Sequence, residues 1–152
     1  MRVVVQKVTS ASVSVEPDYR KDIGGGLLLL VGVSDADGDA EVEWVAHKVA
    51  NLRIFEDEAG KMNRSVMEVK GSILSVSQFT LFADVRKGNR PSFVRAGEPH
   101  HAEKIWKQLD SVFSSEYGLP VQEGEFGMHM KVQLLNDGPV TILLDTASDM
   151  RH

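Results

Sequence analysis

Leu27 to Val33 reads Leu-Leu-Leu-Leu-Val-Gly-Val, with no polar position on either side of its two-residue repeat. A strand sends successive side chains to opposite faces, so such a run is covered on both and belongs at the centre of a sheet. Gly24-Gly25-Gly26 precedes it. These glycines lack the Lys-Ser or Lys-Thr of a phosphate-cradling loop and open no helix, so they read as a bend or bulge.

The flanking segments follow from periodicity. Met1 to Val8 and Ala11 to Glu16 are valine-rich, and Val13 and Val15 alternate with Ser12 and Ser14, which predicts two antiparallel strands before a turn at Pro17-Asp18. Val42, Val45, Ala46, Val49 and Leu52 recur at helical spacing, with Asp39, Glu41 and Glu43 early and His47 and Lys48 late, as the helix dipole favours. Leu52 to Phe55 and Ser72 to Val76 read as strands. Pro99 opens a second helix whose face is Ala102, Ile105, Trp106, Leu109, Val112 and Phe113, closed by Gly118 and Pro120. Val121 to Phe126 and Met130 to Leu135 are further strands. Asn136-Asp137-Gly138-Pro139 then separates Val132–Leu135 from Val140–Leu144, and its residues suit a hairpin tip at which the chain reverses. Strands at both ends with interspersed helices make a mixed α/β fold, helices on one side of the sheet. Residues 147–152 carry no pattern and are expected to fray, leaving one domain over 1–146.

Composition narrows the chemistry. The chain has 152 residues, is 42% hydrophobic and has no cysteine, which suits one domain in a reducing compartment and excludes a thiol nucleophile or thiolate metal site. No apolar run approaches membrane-spanning length, and a cytoplasmic location is expected. Neither Ser34–Asp39 nor Glu56-Asp57-Glu58 has metal-ligand spacing, and His100 and His101 point about 100° apart, so neither metal nor cofactor is expected and the two histidines read as exposed. Net charge is −5, against a generally basic coat for nucleic acid. Val85 to Lys107 is nonetheless net +4, with Arg86, Lys87, Arg90, Arg95, Lys104 and Lys107 against Glu98 and Glu103, which leaves about −9 elsewhere. That split suits contact with one end of a polyanion.

Two segments carry candidate chemistry. Ser77-Gln78-Phe79-Thr80-Leu81 sits where a buried strand ends and backbone N–H groups lose ladder partners, so a tight turn there can aim main-chain donors at an oxyanion. No His or acid neighbours Thr80 in sequence, so no hydrolase triad is visible. The second segment is Asn136–Thr141.

Together these motifs resemble the D-aminoacyl-tRNA deacylases. Ser77-Gln78-Phe79-Thr80-Leu81 is similar to that family's Ser-Gln-x-x-Leu, and Asn136-Asp137-Gly138-Pro139-Val140-Thr141 to its Asn-x-Gly-Pro-x-Thr; Lys87-Gly88-Asn89-Arg90-Pro91-Ser92-Phe93 and Gly124-Glu125-Phe126-Gly127 extend the likeness. The resemblance implies two β layers plus one helical layer, in a homodimer with active sites at the interface. It implies a tRNA acceptor end as partner, hydrolysis of D-aminoacyl-tRNA, and clearance of mischarged glycyl-tRNA as an added activity. It also implies main-chain donors at Ser77, Gln78, Phe79 and Thr80, and a cis Gly138-Pro139 turn that enters the partner's site and excludes L side chains. Phe126 and Met130 would pack near the terminal adenosine. The hydroxyl that assists is that of Thr80 or the ribose 2′-hydroxyl, and the missing base favours the latter. Two departures bear on selectivity: Lys7 stands where Arg is common, and Met128 where a small residue is frequent. The alternatives are a relaxed-chirality deacylase with a trans Gly138-Pro139 bond and a non-catalytic nucleic-acid-binding module, which a long basic extension after Thr146 would favour.

Overall fold

The computed structural model describes residues 1–150. Its organising element is β1, Arg2–Val15, one strand where the sequence pattern predicts two. Thr9 and Ser10, which break the valine pattern, are exposed within it but do not end it. The partner explains why. Two strands, β2 (Tyr19–Ile23) and β3 (Gly26–Gly32), pair antiparallel with β1 in one register, from Val15 opposite Tyr19 to Arg2 opposite Gly32. Gly24-Gly25 therefore lie across from Thr9-Ser10, and both arms of this long hairpin are interrupted at the same level. Gly26 is required for a second reason: a Cβ there would fall on the Ser72 carbonyl of the neighbouring strand.

β3 is the central strand that its composition demands. It pairs parallel with β6 (Ser72–Ser77), which pairs parallel with β7 (Val121–Glu123). Parallel neighbours need crossovers, and these carry α1 (Asp39–Asn51) and α2 (Pro99–Tyr117). A small hairpin, β4 (Phe55–Glu56) with β5 (Met62–Arg64), lies in the first crossover, and β7 stops at Glu123, short of the expected Phe126. Helix ends follow local chemistry. Gly38 N–H donates to Glu41 at 3.2 Å ahead of α1, whereas the Glu98 carboxylate accepts from the amides of His100 and His101, both at 3.0 Å, ahead of α2. Gly118 ends α2 at φ 64°, a conformation cheap only for glycine.

The alternation of β3 divides the core. Leu27, Leu29 and Val31 face the helices with Val3, Val5, Ile73, Val45, Val49, Trp106, Leu109 and Phe113. Leu28 and Leu30 face the other way, with Leu74 and Val76, against Val13, Ile23, Val132 and Leu134. Those last residues belong to the far ends of the β1 hairpin and its outer neighbour, so the sheet folds over its own far face, and β2 lies against β6 and β7 without pairing to them.

The expected hairpin at Asn136–Pro139 does not form. Lys131 to Asp145 is one strand, β8, antiparallel to β1 along its whole length, from Ser14 opposite Lys131 to Arg2 opposite Asp145. The register jumps from Val8–Asn136 to Gln6–Thr141, so Asp137 to Pro139 project as an insertion, Val140 returns to the core, and the chain keeps its direction. Asn136 closes the insertion: its Oδ1 accepts Val140 N–H at 2.8 Å and its Nδ2 donates to Val140 O at 3.1 Å. Turn-forming residues are compatible with reversal and with a bulge alike, and the long partner decides.

The chain end is also more ordered than its pattern suggests. Thr146–Asp149 form a short helix, α3, capped by the Asp145 carboxylate. The Met1 ammonium is buried and donates to Asp37 Oδ1 and to Thr146 Oγ1, each at 2.6 Å, so its second bond ties the start of β1 to α3. Arg151 and His152, the rest of the expected tail, lie outside the described residues. No helix among the described residues is long and apolar enough to cross a membrane.

Candidate active site

Where β6 ends, the backbone turns into a single 3-10 turn, Phe79–Phe82. Gln78 N–H donates to Val31 O at 2.7 Å, and Arg2 reaches across to donate to Leu81 O at 2.8 Å while its guanidinium lies 4.8 Å from the buried Phe82 ring. Three contacts from two strands, one from β3 and two from Arg2 of β1, thus fix the turn. Its first amides are left over: among the described residues neither Phe79 N–H nor Thr80 N–H meets an acceptor, as expected where a helical turn begins. The Thr80 hydroxyl accepts from Gln78 Nε2 at 2.5 Å and, among the described residues, has no hydrogen bond to a carboxylate or imidazole.

This turn borders a cavity of about 580 Å³ at the ends of β3 and β6. Ser77, Gln78 and Phe79 line it on one side; Phe126 and Met130, the two residues expected near a nucleobase, line it on the other. Trp106, which the helical pattern places in the core, forms the floor: it is fully buried, its ring 6.0 Å from that of Phe126, and its Nε1 donates to Ser75 Oγ at 2.8 Å. Phe93, Ala96 and Gly97 add a wall that the motif reading missed. A cationic loop gave no periodic signal that its end would return to the site. His129 also lines the cavity and is exposed, but it holds no hydrogen bond to Ser77 or Thr80. A nucleophile with its own base is therefore not assembled, and what the cavity offers is apolar walls and free amides.

Gly138 and Pro139 are not part of that cavity. They sit on the outer edge of β8, where the Gly138–Pro139 peptide is cis, unlike the trans bond on which the relaxed-chirality alternative depends. Glu16–Pro17 is cis as well, at a turn that sequence treats as ordinary.

Likeness to known proteins decides the family. The family model described as D-Tyr-tRNA(Tyr) deacylase matches residues 4–145. The chain belongs to that family. It is 57% identical over 155 residues to a D-aminoacyl-tRNA deacylase of Bifidobacterium animalis subsp. lactis, covering 96% of this chain and 97% of that one. It is also 57% identical over 147 residues to a D-aminoacyl-tRNA deacylase of Thermomicrobium roseum, covering 97% and 95%. A solved structure of a c-Myc DNA Unwinding Element Binding Protein superposes with a TM-score of 0.88 at 43% identity, over 95% of this chain and 98% of the other.

In this D-Tyr-tRNA(Tyr) deacylase family member the two departures have definite surroundings. Lys7 is buried, 5.5 Å from the Phe55 ring, and its ammonium lies 3.7 Å from Asp137 at the base of the insertion. Met128 is half exposed on the cavity lining. Beneath the floor is a polar group that sequence did not mark. Asp110 is buried, and neither carboxyl oxygen receives a hydrogen bond. Burial first, then the bond that a protonated Asp110 donates to the Glu123 carboxylate, push its pKa up to about 9, which favours the neutral acid. Burial also works against ionised Glu123, but its hydrogen bonds with Asp110 and with Lys107, the latter at 2.9 Å, win and lower its pKa. The His101 ring, expected at the surface, has a buried Nε2 without a partner.

Proposed function

We propose that the protein hydrolyses the ester joining a D-amino acid to the terminal ribose of tRNA, releasing free amino acid and tRNA. The observation that carries this is the pair of unpartnered amides at Phe79 and Thr80, on the rim of an apolar cavity that has no nucleophile with a base. Such a site activates by binding charge: two main-chain donors hold the oxyanion as water adds to the carbonyl, each worth roughly 3 to 4 kcal/mol of barrier. Phe126 and Met130 supply a flat face and a polarisable edge for the adenine. With the Thr80 hydroxyl already engaged by Gln78, the ribose 2′-hydroxyl is the better-placed proton shuttle.

Stereochemical selection belongs to the insertion of β8. Gly138 and Pro139 lie outside the cavity of their own chain, on a free strand edge that also exposes Leu135 and Leu143. A homodimer formed along this edge would carry the insertion of one subunit to the cavity of the other. There, main-chain atoms held by Asn136 would collide with an L side chain and leave a D side chain free, which is selection by exclusion. Glycyl esters have no side chain to exclude and are accepted in this scheme. Incubation with D-Tyr-tRNA, L-Tyr-tRNA and Gly-tRNA tests it: release from the first and third but not the second is expected, and equal rates on the D and L esters would defeat it.

A second reading has one observation in its favour: the 43% identical structure is, by its name, a protein that binds a DNA unwinding element. A binding module would hold duplex DNA and release no amino acid from any ester, an outcome the same incubation reports.

A further inference from the structure

We infer that the loop Val85–Arg95 is a phosphate-binding strap for the single-stranded acceptor backbone leading into the cavity; this rests on the deacylase reading and adds a surface to it. The loop is pinched at its base, where Asp84 and Ser92 exchange backbone hydrogen bonds of 2.7 and 3.0 Å. Asp84 is spent on Arg86, which meets it at 2.6 and 2.9 Å and holds its carboxyl well below the usual range. Lys87, Arg90 and Arg95 are exposed and form no ion pair among the described residues. The loop thus carries three exposed charges of one sign in a chain of net charge −5, only Arg95 also feeling the field of Asp84, and such a concentration attracts an anion.

The loop is also continuous with the cavity. Past Arg95 the chain becomes cavity wall at Ala96 and Gly97, and Phe93 within the loop meets the half-exposed Phe79 ring edge to face at 5.1 Å. Val85 and Val94 stand 68% and 86% exposed beside the cations, apolar surface that none of the described residues covers. Cations tracking a backbone next to aromatic faces is the chemistry of single-stranded nucleic acid recognition. A duplex would present phosphates but no open base faces to Phe79 and Phe93. The terminal nucleoside therefore enters the cavity while the preceding phosphates lie along Lys87, Arg90 and Arg95.

The test compares the wild type with K87A/R90A on D-Tyr-tRNA and on the 3′-D-tyrosyl ester of adenosine, which has no phosphate. The expected result is a KM for the tRNA raised about tenfold with kcat little changed, so that the tRNA-to-adenosine ratio of kcat/KM falls about tenfold. The salt slope of log(kcat/KM) on tRNA should flatten by about 1.4 for two lost phosphate contacts on a single strand. An unchanged KM, or equal losses on both esters, would overturn the strap. Anisotropy of a labelled ribo-oligonucleotide ending in CCA gives a readout independent of hydrolysis. Weaker binding by K87A/R90A supports the strap even if no ester is cleaved, whereas unchanged binding, or tighter binding of duplex DNA by the wild type, overturns it.

Discussion

One signature segment ends a strand and the other interrupts one, and they are held in opposite ways. Ser77–Phe82 is tied into the body of the protein: β3 takes the Gln78 amide, Arg2 of β1 takes the Leu81 carbonyl, Phe82 is buried, and Trp106 lies under the adjoining cavity. Asp137–Pro139 is tied mainly to itself, through both ends of the Asn136 amide, and reaches the body through the Lys7–Asp137 pair at 3.7 Å and through Val140, which is buried in the core where the chain rejoins the ladder. In the function proposed for it, the turn must keep its donors fixed relative to a cavity built from several elements, so it shares their cooperativity. A gate need only keep its own shape, and a side chain at its base can supply that.

Perturbations should separate the two regions. The largest effect is expected for Trp106→Ala, which empties the cavity floor and should cost about 3 to 5 kcal/mol in denaturant unfolding; a loss under about 1 kcal/mol would show that the activating region is less integrated than its contacts indicate. Asp110→Asn probes the same floor through pH. Below the unfolded pKa, about 3.8, both states hold the Asp110 proton and its favourable contribution is complete. From there up to about 9 the unfolded chain loses a proton that the folded chain keeps, so stability falls as pH rises and levels off above that value. Asparagine has no such slope. Its stability relative to wild type, read as a relative Tm, should therefore be higher at pH 8 than at pH 5, by at most about 4 kcal/mol at roughly 1.4 kcal/mol per pH unit for one proton, and a difference independent of pH would show that Asp110 is ionised in the fold.

Asn136→Ala tests the gate. It should cost only about 1 kcal/mol in stability, since one local closure is lost, but reduce the D-to-L ratio of kcat/KM about tenfold. A large loss of stability with intact selectivity would reverse the comparison. The smallest effect is expected for Thr80→Ala: if the ribose hydroxyl moves the proton, kcat on D-Tyr-tRNA falls less than about tenfold, or roughly 1.4 kcal/mol of barrier. Complete loss would assign that step to Thr80.

Much of the fold was legible in the chain because it is set by local pattern. The run Leu27–Val33 announces a strand covered on both faces. Pro99 and Gly118 mark the ends of α2 through backbone preferences that involve only neighbours in sequence. Ser77–Thr80 was legible as a strand end with spare amides for the same reason. Trp106 was not legible as a site residue, since a helical stripe looks the same whether it meets a full core or a hollow one, and Asp110 gave no sign because burial depends on elements far away in sequence.

The sequence by itself determined which segments are strands and helices, where the two motifs lie, and how charge is divided between one loop and the rest. Only the tertiary structure decided the direction of the chain past Asn136 and the unity of β1. Both depend on which edge supplies hydrogen bonds over the full length of a strand, and a turn sequence of four residues is too weak a term to set that against a ladder running from Ser14 to Arg2.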